Sequence, residues 1–196
     1  VARPKKLIVI KHKDTGEVLL TLKAGPYLDL RHAKLEAGDL SGLTLVGDFE
    51  GATLAFANME GAILQGAYLA VTDLTHTNLR GADLTGCILR DANLRWANLE
   101  GANFTGAELQ GTNLIGAWLE GALFTRTVLW DTIFADCYDP HKAIDLDKTE
   151  HSGPSSIDIR TLRACLHDLP VEFLRGIGLS QEEIEGLYGV FPRVKK

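Results

Sequence analysis

The chain has 196 residues, 45% of them apolar and 23% charged, with a formal net charge of −6. That is the make-up of an ordinary soluble globular protein of one domain, or one domain with an appendage, and the negative balance argues against unaided binding to nucleic acid. No stretch approaches the roughly 20 apolar residues of a membrane helix, and the run after Lys5 and Lys6 (Leu7 to Ile10) is too short for a signal peptide.

The first elements in the chain are two strands, Leu7 to Ile10 and Val18 to Leu22. Lys13-Asp14-Thr15-Gly16 joins them as a turn, with glycine for the positive φ. This hairpin, within residues 1–27, is expected to cap whatever follows; an exposed hairpin edge for partner addition is the less favoured role.

A repeat then occupies residues 28–137. From Phe49 to Phe134 every fifth residue is apolar, including Phe49, Leu54, Met59, Leu64, Leu84, Leu94, Phe104, Leu114, Phe124 and Phe134. Two positions before each of these the residue is small, as Gly47, Ala52 and Cys87 illustrate. Two positions after, Gly recurs from Gly51 to Gly121. Leu30, Leu35, Leu40 and Leu45 keep the pattern earlier, and the step from Leu45 to Phe49 lacks one residue. No Lys lies between Lys34 and Lys142, and no Pro between Pro26 and Pro140, which marks out the same interval.

A period of five fits neither regular element. On a helix the Leu would spiral over every face, and on a flat strand it would alternate sides. The chain must instead turn a corner every five residues. Four corners close a square coil with the Leu and the small residue inside, and twenty-two units give about five and a half coils, a rod roughly 26 Å long. The unit resembles the pentapeptide-repeat family, as Gly81-Ala82-Asp83-Leu84-Thr85, Asp91-Ala92-Asn93-Leu94-Arg95 and Gly101-Ala102-Asn103-Phe104-Thr105 illustrate. The resemblance implies an all-β solenoid, a right-handed quadrilateral β-helix.

The pattern ends at Asp139-Pro140, and residues 138–155 read as a polar linker. Residues 156–196 read as a small helical region that docks on the last coil or on a partner. Ile159, Leu162, Leu166 and Leu169 share one face after Ser156 or Asp158 as N-cap. Pro170 suits the first position of a second helix, and Ser180-Gln181-Glu182-Glu183 is a capping box opening a third. Ser156-Ile157-Asp158, Thr161-Leu162-Arg163, Leu169-Pro170 and the run Phe173 to Leu179 also resemble a segment of multidomain bacterial proteins that joins pentapeptide repeats to a TIR-like domain. A homodimer through these helices is a further expectation.

A packed tube offers no pocket for catalysis, and the nucleotide, zinc-protease and hydrolase motifs are missing. The six histidines keep no metal-ligand spacing, and His76 reads as a solvated corner. Cys87 fills a small inward slot. With Cys137 and Cys165, odd in number and far apart, it points to a reducing, cytoplasmic setting without disulfide or structural zinc. Neither enzyme activity, cofactor nor metal is expected. The surface remains: Asp48, Glu50, Asp91, Glu108 and Asp131 group on one face, with outward Trp96 as a further partner-binding candidate. Trp118 and Trp130 are equally explained by packing under the C-terminal helices. Asn58, Asn78 and Asn98, and likewise Asp73, Asn93 and Asn113, should stack into ladders that bond along the rod.

These features predict a non-catalytic scaffold that binds another protein, and the C-terminal resemblance implies a bacterial signalling or defence assembly. The alternative is inhibition of DNA gyrase or topoisomerase by DNA mimicry, which the resemblance also implies, since some members of the family match duplex DNA in width and charge. Duplex DNA carries one charge per about 1.7 Å, so a mimic about 22 Å long needs about 13 negative charges. Residues 48–137 carry eleven acidic and four basic side chains, net −7.

Overall fold

The computed structural model describes residues 7–191; residues 1–6 of the expected cap and 192–196 of the helical region lie outside the described residues. Strands β1 (Leu7–His12) and β2 (Val18–Lys23) form the antiparallel hairpin, with Gly16 at φ 73° in its turn. Strand β3 (Leu28–Asp29) opens the first coil and β4 (Gly38–Asp39) lies on it. β1 pairs with β4 antiparallel, Lys11 opposite Asp39, and sends Ile10 fully into the core. The hairpin therefore covers the backbone edge that the first coil would otherwise expose. Strand β5 (Gly47–Asp48) pairs in parallel with β3, at a step of nineteen residues across the missing one. Gly47 is required there, because a Cβ would strike the Leu28 backbone.

The repeat closes into coils because each pentad spends its amides the same way. At Leu54, the core amide donates to Asp73 O of the next coil (2.7 Å) and the Phe56 amide to Thr75 O (2.9 Å). Ala57 N closes the corner onto Leu54 O (3.0 Å), and Asn58 N reaches back to Gly38 O (2.8 Å). The fifth amide, just after the core residue, is met by a side chain wherever Asp or Asn precedes that core residue. Asp73 Oδ1 accepts from Thr75 N, Asn98 Oδ1 from Glu100 N and Asn103 Oδ1 from Thr105 N, each at 3.0 Å. This duty explains the recurring Asn and Asp better than bonding along the stack does. Of the expected amide ladders, Asn78 Nδ2 to Asn58 Oδ1 (3.1 Å) is such an along-stack bond.

Equivalent residues stack through parallel bridges into four ladders. One runs Asp48, Tyr68, Ile88, Glu108, Val128; the next Thr53, Asp73, Asn93, Asn113, Ile133. The third runs Asn58, Asn78, Asn98, Trp118, Tyr138, and the fourth Ile63, Asp83, Asn103, Leu123, Ile144. The result is a β-helical solenoid.

Every fifth-residue side chain from Phe49 to Phe134 is buried, as is the small residue two before each. Phe104 and Phe124 stack inside, with centroids 5.3 Å apart. Five of the small sites hold threonine, and each hydroxyl donates to a carbonyl 23 residues earlier, such as Thr112 to Leu89 O at 2.8 Å and Thr132 to Leu109 O at 2.7 Å. A polar atom is thereby accommodated in a dry tube. Every corner residue two after a core residue is left-handed: the ten glycines, and also Phe56, Val71, His76, Asp91, Trp96, Arg126, Asp131 and Asp136. Such angles cost a non-glycine residue about 1–2 kcal/mol, so the corner is imposed by the coil and glycine merely relieves it.

Residues 138–155 depart from the expectation of a linker. Strand β6 (Val128–Leu129) pairs in parallel with β8 (Glu150–His151), and β7 (Ile133–Phe134) with β9 (Ser156–Ile157). Tyr138 and Ile144 also occupy rungs. The extra residues are taken up by two 3₁₀ turns, Pro140–Lys142 and Leu146–Lys148, whose Pro140 and Leu146 are buried. Backbone pairing needs no side-chain pattern, so the coil outlasts the repeat that announced it.

Helices α1 (Ile159–Cys165), α2 (Val171–Gly176) and α3 (Gln181–Val190) follow. Asp158 caps α1, and Ser180 with Glu183 forms the capping box of α3. Pro170 stands one place earlier than expected, as the N-cap of α2. Leu162, Leu166, Leu169, Phe173, Leu174 and Ile184 join the same core as the coils. Phe173 meets Phe134 edge-on at 5.5 Å and so plugs the open end of the tube.

Candidate functional site

Nucleophile chemistry finds little support in the thiols. Burial pushes Cys87, Cys137 and Cys165 each up to about 12. Their sulfurs donate to Leu64 O, Leu114 O and Thr161 O respectively. Among the described residues no three His, Cys, Asp or Glu side chains come together as metal ligands, and no helix is long and apolar enough to cross a membrane.

The five expected carboxylates do share one side of the solenoid. Asp48 and Glu108 sit on the first ladder, Glu50 follows Phe49 at the adjoining corner, and Asp91 and Asp131 occupy left-handed positions of that same corner. Arginines interrupt the charge. Arg31 lies 2.8 Å from Asp29, which it holds down to about 2, and 3.8 Å from Asp48; Arg90 lies 2.5 Å from Glu108. The neighbouring column alternates likewise, with Arg80 between Glu60 (3.4 Å) and Glu100 (3.7 Å), and Lys142 on Glu120 (3.3 Å). Asp91 and Asp131 make no ion pair among the described residues.

Trp96 is not on this side. It lies at the following corner, in a column that the sequence reading missed. Phe56 and His76 stack at 4.9 Å and 5° between planes, and His76 and Trp96 at 6.4 Å and 12°. Trp96 then rests on Gly116, where a Cβ would collide with the indole. His76 is exposed at its left-handed corner, as expected, and is also the middle of an aromatic pile. On the adjoining ladder Trp118 and Tyr138 meet at 5.7 Å. Between pile and ladder runs a groove of about 350 Å³, floored by Asn78 and Asn98. Phe56, Trp96, Trp118 and Tyr138 are 53%, 38%, 47% and 51% exposed, so the stripe is open along its length. Reading the corner residues at a step of twenty would have revealed it, since 56, 76 and 96 are all aromatic. Trp118 and Trp130 are both about half exposed.

A family model for pentapeptide repeats matches residues 48–86 and 87–126, in eight copies. Among solved structures, a pentapeptide repeat protein from the cyanobacterium Cyanothece 51142 is 37% identical over 52% of this chain and 64% of its own length, with a TM-score of 0.43. Another, from Nostoc Pcc 7120, is 35% identical over 42% of this chain and 67% of its own, with a TM-score of 0.34. QnrB1, described as a plasmid-mediated fluoroquinolone resistance protein, is 19% identical over 72% of this chain and 84% of its own, with a TM-score of 0.39. This chain therefore spans less than two thirds of the first of these relatives. No curated protein matches it.

Proposed function

This chain belongs to the pentapeptide-repeat family, and from that premise we propose that it is a non-catalytic scaffold that binds another protein along its aromatic corner. We read the solenoid, on the family's pattern, as a right-handed quadrilateral β-helix of about five and a half regular coils. The observation that carries the reading is the open stripe Phe56, His76, Trp96, Trp118 and Tyr138. Exposed aromatic side chains aligned on a rigid frame supply apolar area at little entropic cost, and Trp and Tyr dominate binding hot spots. The coil holds the stripe in place before any partner arrives, which is the economy of a preorganised surface. The likeness of residues 156–179 to repeat-to-TIR segments suggests a bacterial signalling or defence assembly, and the three unpaired thiols favour a cytoplasmic one.

The test is affinity capture with the wild-type chain beside a Trp96→Ala/Trp118→Ala variant whose circular dichroism is unchanged. A protein retained by the first and lost by the second is the expected result. Identical captured sets from the two chains would overturn the reading.

A further inference from the structure

The acidic side holds a notch distinct from the aromatic corner. Its corner column runs Gly51, Val71, Asp91, Gly111, Asp131, and a cavity of about 450 Å³ lies beside Gly111. Arg90 and Asp91 form one wall, Gln110 and Gly111 the floor, and Trp130 and Asp131 the other wall. The Asp91 carboxylate bends over Gly111, so near that a Cβ there would strike Oδ1. Its charge therefore lies over Gly111, one coil from Asp131 in the same column.

The carboxylates and the indole around the cavity ask for the same guest. Two carboxylates face it without an ion pair among the described residues, while Arg90, the nearest cation, is engaged with Glu108 at 2.5 Å. Gln110, half-buried, lines the cavity with its side chain, its Oε1 turned into the protein. Trp130 is half exposed, and its indole is braced against Gly153, so an aromatic ring stands ready beside the charges. Carboxylates and an indole together select a planar cation with several N–H donors that can also stack, which describes guanidinium better than ammonium.

We infer that the notch at Gly111 receives an arginine side chain of the partner protein. This rests on the scaffold reading and adds the partner's chemistry: a basic segment that reaches the acidic side while the rest engages the aromatic corner. Asp48 and Glu50, on the same side, extend the negative field toward such a segment.

The probe is N-acetyl-argininamide against N-acetyl-citrullinamide, which matches it in shape without the charge, followed by proton–nitrogen NMR of the whole chain. The arginine compound should shift the Trp130 indole and Gly111 amide signals, and the citrulline compound should not. Asp131→Asn, which a left-handed corner tolerates, should weaken binding at least fivefold. Equal shifts from both compounds, or shifts spread evenly over the Glu60 to Glu120 column, would sink the inference. A captured partner that Trp96→Ala releases but Asp131→Asn retains would overturn the notch and leave the scaffold reading standing. A partner insensitive to Trp96→Ala would overturn the scaffold reading itself.

Discussion

Gly116→Ala tests whether the aromatic corner is seated by the coil beneath it. Gly116 stands at φ 70°, and a Cβ there collides with the Trp96 indole; Gly86 stands at φ 65° with open space around it. Both substitutions place alanine at left-handed angles, which costs about 1–2 kcal/mol. Removing glycine restores about 0.4–1 kcal/mol by stiffening the unfolded chain, so Gly86→Ala should destabilise by about 1 kcal/mol. Gly116→Ala must also push Trp96 from its seat and disturb the pile with His76, worth another ~0.5–1.5 kcal/mol. The sum is about 2 kcal/mol, and a urea slope of ~2 kcal/mol/M then puts the midpoints about 1 M and 0.5 M below wild type for the two variants. Urea unfolding followed by far-ultraviolet circular dichroism gives the stabilities, and the Trp96 indole NMR signal reports the seat. Equal losses in both variants with an unmoved indole signal would refute the reasoning.

His151 should make stability depend on pH. Thr149 donates its hydroxyl hydrogen to Leu146 O, so His151 Nε2–H donates to Thr149 Oγ1 and leaves Nδ1 bare, buried and without a hydrogen-bond partner, with the ring against Phe173 and Gly176. Burial lowers its pKa from the ordinary 6.5, so the unfolded chain takes the proton first and stability falls as pH drops through that value. His151→Gln should reduce the difference in urea midpoint between neutral and mildly acidic buffer; an unchanged difference would count against it. The thiols, raised to about 12 by burial, should resist a disulfide reagent in the folded chain and all react once it is unfolded; rapid native labelling of Cys87 would show that the tube opens. Gyrase supercoiling should proceed unhindered at low micromolar protein, since the net −7 of residues 48–137 is interrupted by arginines paired within 4 Å of their carboxylates; clear inhibition would restore DNA mimicry to the front.

The inward positions could be read from the sequence because packing in a narrow tube leaves one choice per site. Leu-type residues at every fifth place and small ones two before them have no other arrangement that buries both. The hairpin and the capping box were equally plain, since each rests on local backbone chemistry. Local signals failed where the decisive neighbour lies a coil away. Asp91 and Trp96 are five apart in the chain yet serve two corners, and Trp96 earns its place from His76 and Gly116, each twenty residues off.

Sequence alone thus determined the period, the buried set and the nature of the two ends, because those depend on residue size and on amides satisfied nearby. Tertiary structure alone decided that every corner is left-handed, that residues 138–155 continue the ladders, and which outward side chains stand together. The physical reason is the stacking itself: hydrogen bonds between coils impose the corner whatever residue occupies it, and they bring into contact side chains that a reading along the chain keeps apart.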